Sequence, residues 1–270
     1  MKKQRIALGV QNCIVGQFEK NLDSTLAMVQ AAVAKGANMV VFPEMNLTGY
    51  GTGDNISRLA RPITPELTRP FQDKADASNI SILVGLTEHR ASGAIHASHL
   101  AFIPGQAPAI YRKIHLAPNE QDYLSAGSEP MVFQHSKTCF GIQLCYDSHF
   151  PELTLAMALK RMDVLIIPHA SPRGNSQGKF DSWMRHLRAR AFDNGIFVLA
   201  LNQTGKNNSG LSFPGVALAI GPDGNLISNY LKEEEAILMV DLDPALMNHV
   251  RSHRMRYFLP HRRRDLFPFD

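Results

Sequence analysis

A chain of 270 residues with 44% apolar and 19% charged residues has the length and composition of one large or two small globular domains with a substantial core. Its formal charge of +4 is uneven: Arg251, Arg254, Arg256, Arg262, Arg263 and Arg264 lie in a stretch without an acid, and removing these six charges leaves −2. The three cysteines, Cys13, Cys139 and Cys145, have no Cys-x-x-Cys or zinc-ligand spacing, and no apolar run reaches bilayer length, so a disulfide framework, a structural zinc site and a membrane-spanning helix are excluded.

The opening MKKQRIALGVQN has no apolar core or cleavage site of a signal segment. It is read as a first strand over residues 6–10 of a protein expected to be cytoplasmic. Asn21, Asp23 and Ser24 offer caps for a helix in which Leu22, Leu26, Val29 and Val33 recur at helical spacing, ended by Lys35-Gly36. Met39-Val40-Val41-Phe42 is a continuous apolar strand of the kind buried on both faces, and it runs into Pro43-Glu44. Residues 47–61 are loop-like, and Thr64-Pro65-Glu66 opens a helix to about residue 77. Strands follow over 80–86, 95–103 and 109–114, the last carrying Tyr111-Arg112-Lys113. After a polar loop, Met131-Val132-Phe133 leads to the apolar run 140–144, which stops at Cys145. Tyr146-Asp147-Ser148 then has turn and cap chemistry, and Pro151-Glu152 opens a helix. A strand over 163–168, a long loop, a helix over about 180–192 and strands over 196–201, 216–220, 225–230 and 236–240 complete the pattern, with Gly221-Pro222-Asp223-Gly224 as a hairpin turn. Strands and helices mix throughout with no linker or repeat. The expected architecture is therefore a single α/β domain of stacked layers, with residues 243–270 as a basic tail.

Four buried strand ends carry polar residues: Glu44, Lys113, Cys145 and His169. Sheets of this class place their sites outside strand ends. A thiol, an ammonium and a carboxylate gathered there form a coherent acyl-transfer set: the sulfur attacks a carbonyl carbon, the carboxylate moves the proton, and the ammonium with a backbone N–H holds the oxyanion. A strand end beside a helix start also favours thiolate over thiol at Cys145. Each residue has a plainer alternative: Cys145 as a small buried hydrophobe, Lys113 as a solvated edge lysine, Glu44 as the partner of a nearby cation.

Three stretches in order identify the chain as resembling the nitrilase superfamily of carbon–nitrogen hydrolases: Val40-Val41-Phe42-Pro43-Glu44 with Thr48-Gly49-Tyr50, Tyr111-Arg112-Lys113-Ile114-His115-Leu116, and Gly141-Ile142-Gln143-Leu144-Cys145-Tyr146-Asp147 with Phe150-Pro151-Glu152. Glu120, Arg188-Ala189-Arg190-Ala191, Asn194-Gly195 and Asn202-Gln203 match as well, so the resemblance runs over residues 6–240. It implies a four-layer α-β-β-α sandwich, a homodimer or higher homo-oligomer, and no cofactor or metal. It also implies Glu44 as general base, Lys113 as oxyanion stabiliser, Cys145 as nucleophile, the Tyr146 N–H as second oxyanion donor and Glu120 as the residue orienting Lys113 or the incoming group.

Relatives that cleave nitriles carry Trp-Glu after the cysteine, whereas this chain has Tyr146-Asp147. The resemblance therefore implies hydrolysis of a small amide or N-carbamoyl amine through a thioester, with nitrile hydrolysis or a non-catalytic interaction protein as the alternatives. The loop His169-Ala170-Ser171-Pro172-Arg173-Gly174-Asn175 is expected to line the pocket, with Arg173 either clamping a substrate carboxylate or lying free on the surface. Trp183 belongs to the pocket mouth or the core. The arginine tail is expected to dock on this subunit or a partner, burying Tyr257, Phe258, Leu259, Leu266 and Phe267, rather than to bind nucleic acid or membrane.

Overall fold

The computed structural model describes residues 1–267. In chain order the strands are β1 (Gln4–Val10), β2 (Met39–Val41), β3 (Ser81–His89), β4 (Ile95–Phe102), β5 (Ala109–Arg112), β6 (Val132–His135), β7 (Thr138–Ile142), β8 (Val164–Pro168), β9 (Phe197–Leu201), β10 (Gly205–Lys206), β11 (Ser212–Phe213), β12 (Ala217–Ile220), β13 (Leu226–Tyr230) and β14 (Ala236–Leu242). The helices are α1 (Phe18–Ala34), α2 (Asn55–Leu59), α3 (Pro65–Ser78), α4 (Pro151–Leu159), α5 (Ser176–Asn194) and α6 (Pro244–Arg251). Two six-stranded sheets result, ordered β14-β1-β2-β3-β4-β5 and β13-β12-β9-β8-β7-β6, with β10-β11 as a separate hairpin.

Side-chain alternation explains the layering. In the first sheet Ile6, Leu8, Val10, Met39, Val41 and Leu83 join a core shared with β7, β8 and β9. The intervening Ala7, Val40, Ile82 and Val84 pack with Val29 and Ala32 of α1 and Phe71 and Ala75 of α3. Trp183, Leu187 and Ala191 of α5 and Met157 of α4 cover the second sheet. The four-layer α-β-β-α sandwich in a single domain follows directly. Among the described residues no helix is long and apolar enough to cross a membrane.

Sheet direction brings the site together. β1, β2 and β3 are parallel, and two antiparallel steps through β4 return β5 to the direction of β2. Residues 44 and 113 therefore leave the first sheet at the same end. In the second sheet β7, β8 and β9 are parallel, which sets residues 145, 169 and 202 at one end as well.

Capping explains several boundaries. The Thr64 hydroxyl accepts from Leu67 N, with Pro65 at the first turn of α3. Gly195 ends α5 in the left-handed region at φ 60°. The first helix corrects the sequence expectation: α1 begins at Phe18, and Asn21 lies inside it, buried, bonding Ile14 N, Ile14 O and Leu47 O. A residue that ties three backbone groups of two loops looks, in sequence, like a cap. The loop 47–61 also contains the short α2.

Gly85 is a second fixed point. A Cβ there would lie 2.6 Å from Met45 N and 2.8 Å from His99 Nδ1, because the turn carrying Glu44 packs directly on β3. Gly85 N also donates to Asn46 Oδ1, and Gly85 O accepts from Leu47 N. Gly85→Ala is expected to cost about 1–3 kcal/mol of stability and to lower turnover by displacing Glu44. Urea unfolding together with steady-state rates would check this, and an alanine variant as stable and active as the parent would contradict the packing account.

The root of the tail docks on this subunit, while its outer apolar residues stay exposed in the single chain. Leu259 is buried and Arg251 binds Asp163 at 2.8 Å and Met162 O at 2.9 Å, so its root docks on this subunit. Phe258, Leu266 and Phe267 are instead exposed, the last two by 59% and 62%. Phe258 nonetheless touches the body, its ring centroid 5.6 Å from that of Phe192. Residues 268–270 of the expected tail lie outside the described residues.

Candidate active site

A cavity of about 530 Å³ opens where the ends of the two sheets meet. Lys113, Glu120, Cys145, Tyr146, Ala170 and Arg173 are among its lining residues. At its floor the Lys113 ammonium lies 2.9 Å from Glu44 Oε1 and 2.8 Å from Glu120 Oε2. All three side chains are at most 1% exposed.

Each carboxylate is fixed from more than one side. Glu44 Oε2 accepts the Ala170 N–H at 3.0 Å, and Glu44 O accepts from Gln203 Nε2 at 2.8 Å. Glu120 accepts from the Tyr50 hydroxyl at 3.0 Å and from Ala117 N at 2.9 Å. Such charge-assisted bonds are the stronger kind, and buried charges need them.

Burial pushes the Glu44 carboxyl up to about 7, partly opposed by Lys113. Burial pulls the Lys113 ammonium down, but Glu44 and Glu120 outweigh it, leaving the pKa well above the ordinary value. The Cys145 thiol is driven upward by burial and then by Glu44, with Lys113 and the Ala170 N–H acting the other way. The helix-start contribution expected to favour a thiolate is thus opposed by burial and by Glu44. The residue stands at the start of a single 3-10 turn, Cys145–His149, rather than at the N-terminus of α4. Desolvation and a carboxylate dominate its surroundings and shift the sulfur toward its protonated form beside a base.

The backbone at the site is strained. Cys145 has φ 45°, Met45, next to Glu44, has φ 54°, and Arg173 has φ 70°. Left-handed backbone in residues with a Cβ concentrates at functional sites. Among the described residues the Tyr146 N–H meets no acceptor, and Tyr146 lines the cavity.

Asp147 holds the 145 turn against the 113 strand, a role that its place in the sequence did not disclose. Its Oδ2 accepts from the Tyr111 hydroxyl at 2.7 Å and Leu144 N at 2.9 Å, and its Oδ1 accepts from His115 N at 2.7 Å. Tyr111 and His115 flank Lys113, so one buried carboxylate sets the spacing between the thiol and the ammonium. The His115 ring is fixed by stacking on Phe150, centroids 3.8 Å apart. An amide in place of Asp147 keeps one acceptor and presents a donor to donors. Asp147→Asn is expected to lower stability by about 1–3 kcal/mol and to reduce kcat more than it raises KM, read by urea unfolding and steady-state kinetics.

The 169–173 loop is only partly as expected. Ala170, Ser171, Pro172 and Arg173 line the cavity, and Asn202 clamps Ser171 through its N–H and C=O. His169 does not line it. Its buried ring stacks on Trp183 at 3.9 Å, beneath α5, and burial holds the imidazole neutral. Past Pro168 the chain leaves the strand, so side-chain alternation no longer fixes which way residue 169 turns. Trp183 is likewise core rather than pocket mouth. A separate cleft of about 420 Å³ between α4, α5 and the tail is lined by no cysteine, serine or lysine.

Comparison with known proteins agrees with this fold. The model of the carbon-nitrogen hydrolase family matches residues 5–252. A probable nitrilase of Schizosaccharomyces pombe is 31% identical over 77% of this chain and 77% of its own. An N-carbamoylputrescine amidase of Solanum tuberosum is 28% identical over 87% of this chain and 83% of its own. The crystal structure of a carbon-nitrogen hydrolase from Helicobacter pylori superposes with a TM-score of 0.86 at 25% identity, covering 98% of this chain and 97% of that one. With two sheets joined as described, and acid, amine and thiol gathered at their shared end, the chain belongs to the carbon–nitrogen hydrolase family.

Proposed function

We propose that the protein hydrolyses small linear amides or N-carbamoyl amines through a thioester on Cys145. The observation that carries this reading is the Lys113 ammonium, fixed between two buried carboxylates at the floor of the cavity onto which Cys145 opens. In the proposed sequence the substrate carbonyl oxygen sits between Lys113 Nζ and the Tyr146 N–H. Glu44 takes the thiol proton as sulfur attacks carbon, and the two donors hold the oxyanion. The proton then passes from Glu44 to the departing nitrogen, and ammonia or amine leaves the thioester. Water enters, Glu44 takes one of its protons, and the second tetrahedral intermediate expels the sulfur to give the acid. Glu120 positions Lys113 throughout.

A base that titrates near 7 and a thiol that titrates far above it suit this order of events. The proton need not leave the sulfur before attack, because a carboxylate is ready to receive it during attack. The carbamoyl-cleaving potato relative supports this substrate class, and the yeast relative named a probable nitrilase brings nitriles into the test. The decisive experiment is release of ammonia from a panel of small amides, N-carbamoyl amines and nitriles, with the Cys145→Ala protein as blank. Amide or carbamoyl turnover that depends on Cys145 is the expected result. Turnover of nitriles alone would replace this reading with the nitrile one.

A further inference from the structure

The peptide bond between Cys145 and Tyr146 carries two polar groups that point opposite ways, because a trans amide is planar. Its N–H, on Tyr146, meets no acceptor among the described residues, and Tyr146 lines the cavity. Its C=O, on Cys145, accepts the Ser148 hydroxyl at 2.7 Å. Ser148 is buried and lies outside the cavity lining. Its Oγ is 3.2 Å from His186 Nε2 of α5. A line of polar groups therefore runs from the back of this peptide into the helix behind it.

The rest of the turn is held from both sides. Arg190, one turn after His186 on α5, donates to Ser148 O and His149 O, both at 3.1 Å. Asp147 takes Leu144 N and His115 N from the other side. Within this frame Cys145 adopts φ 45°, a conformation that a residue with a Cβ keeps only where its surroundings impose it. The Ser148 hydroxyl has one proton. The shorter distance assigns it to Cys145 O, so His186 donates to Ser148 from Nε2. Burial, then His149 and Arg190, holds the ring down to about 4, so it is neutral with a single N–H at neutral pH. The Ser182 backbone draws that N–H toward the other ring nitrogen, and the short Ser148 bond draws it to Nε2.

We propose that Ser148, seated by His186, is the positioning residue for the oxyanion donor: its hydroxyl fixes the 145–146 peptide by the carbonyl and so aims the Tyr146 N–H at the cavity before a substrate arrives. Two physical effects act together. A donor stabilises an oxyanion only where it already points at the place the charge will occupy, and a fixed peptide plane supplies that aim. A hydrogen bond on the carbonyl also draws electron density from the amide nitrogen and strengthens its N–H as a donor. The proposal rests on the reading of the Tyr146 N–H as an oxyanion donor and adds to it two residues that do not touch the substrate.

The test separates addition to a carbonyl from plain reactivity of the thiol. Butanal adds to Cys145 by forming a C–S bond. The C=O pair moves to oxygen, between Lys113 and the Tyr146 N–H, and the thiol proton passes to Glu44. Methyl methanethiosulfonate instead transfers its methylthio group to the same sulfur as methanesulfinate and the thiol proton leave, and no oxyanion forms on carbon. Both are read by mass spectrometry on the peptide carrying Cys145, butanal as protection against the thiosulfonate. Ser148→Ala is expected to weaken butanal binding by on the order of 10- to 100-fold, while the thiosulfonate rate without butanal stays within about twofold. Ser148→Thr, which keeps the hydroxyl, should restore most of the affinity. His186→Phe should weaken it by less than Ser148→Ala, with His186→Gln restoring part of that loss. Circular dichroism shows which variants fold, and if Ser148→Ala does not, the two His186 variants decide by the same ratio. Equal butanal affinity in parent and variant, no addition to the parent, or parallel loss of both reactions overturns the proposal. Hydrolysis of the amide panel is scored apart, and kcat should fall with butanal affinity while KM changes little. Selective loss of butanal binding in a protein whose parent hydrolyses nothing through Cys145 would end the hydrolase reading and leave the positioned donor in place.

Discussion

Replacing Cys145 by alanine is expected to lower kcat by on the order of 10⁴-fold or more, because no covalent intermediate then forms. Alanine tolerates φ 45° no worse than cysteine does, so stability should change by only about 1 kcal/mol. Acid quenching of the parent protein during turnover should yield an acyl adduct on the peptide carrying Cys145, visible by mass spectrometry and missing from the variant. Cys145→Ser tests the proton account. A hydroxyl is harder to ionise than a thiol and sits beside the same carboxylate, so this variant should also be severely slowed. In the free protein, burial and Glu44 keep the thiol protonated, so alkylation by iodoacetamide should be slow at neutral pH and speed up as pH rises. Rapid, pH-independent alkylation would refute that protonation state.

Lys113→Met is expected to damage stability and activity together. It leaves Glu44 and Glu120 in the interior with their shared cation gone. Breaking a buried pair from one side costs about 3–5 kcal/mol. The cost should depend on pH, with a definite sign. Glu44 already titrates at about 7 in the folded protein, above its ordinary value of 4.5, so it binds a proton more tightly folded than unfolded. Stability from such a group is fully present below its unfolded pKa and is lost as pH rises through the folded one. Without Lys113 that loss grows and extends to higher pH. Urea unfolding of the variant should therefore show a small deficit at pH 5 and a large one at pH 8. An equal deficit at both would mean that lost packing, and not unpaired charge, is responsible. In the parent protein kcat/KM should fall on acidification with a midpoint near 7, as the base becomes protonated. In Lys113→Met that limb should move to higher pH, and the residual rate should be down by roughly 10²–10³-fold or more for loss of one oxyanion donor.

The candidate site was legible in the sequence to the extent that it sits at the ends of apolar runs. Met39 to Phe42 and Phe140 to Leu144 can only be buried strands, and the polar residues that follow them stand out for that reason. Lys113 was recognisable because its strand ends where the other two do in the motif order. Asp147 and Ser148 were not recognisable. Asp147 has the local look of a turn residue, and its value comes from Tyr111, 36 residues away, and His115, 32 residues away. Ser148 has the same local look, and its use comes from His186, 38 residues away, and from the bond its hydroxyl makes to Cys145 O. Asn21 misled for the opposite reason, since a capping type of residue was used as a buried tie between loops.

The sequence by itself determined a single α/β domain of stacked layers, through apolar periodicity. The resemblance of its three motifs implied the family and the four-layer form. Both are local properties that survive without coordinates. Only the tertiary structure decided the charge states and the partners. It buried Glu44 and Cys145, and so raised the carboxyl to about 7 and drove the thiol upward, while setting Lys113, 69 residues from Glu44, 2.9 Å from that carboxylate to oppose part of the shift. It turned His169 away from the cavity and placed His186 behind the Cys145 turn, against Ser148. Burial and pairing act between segments that meet only on folding, and for that reason no local pattern in the chain records them.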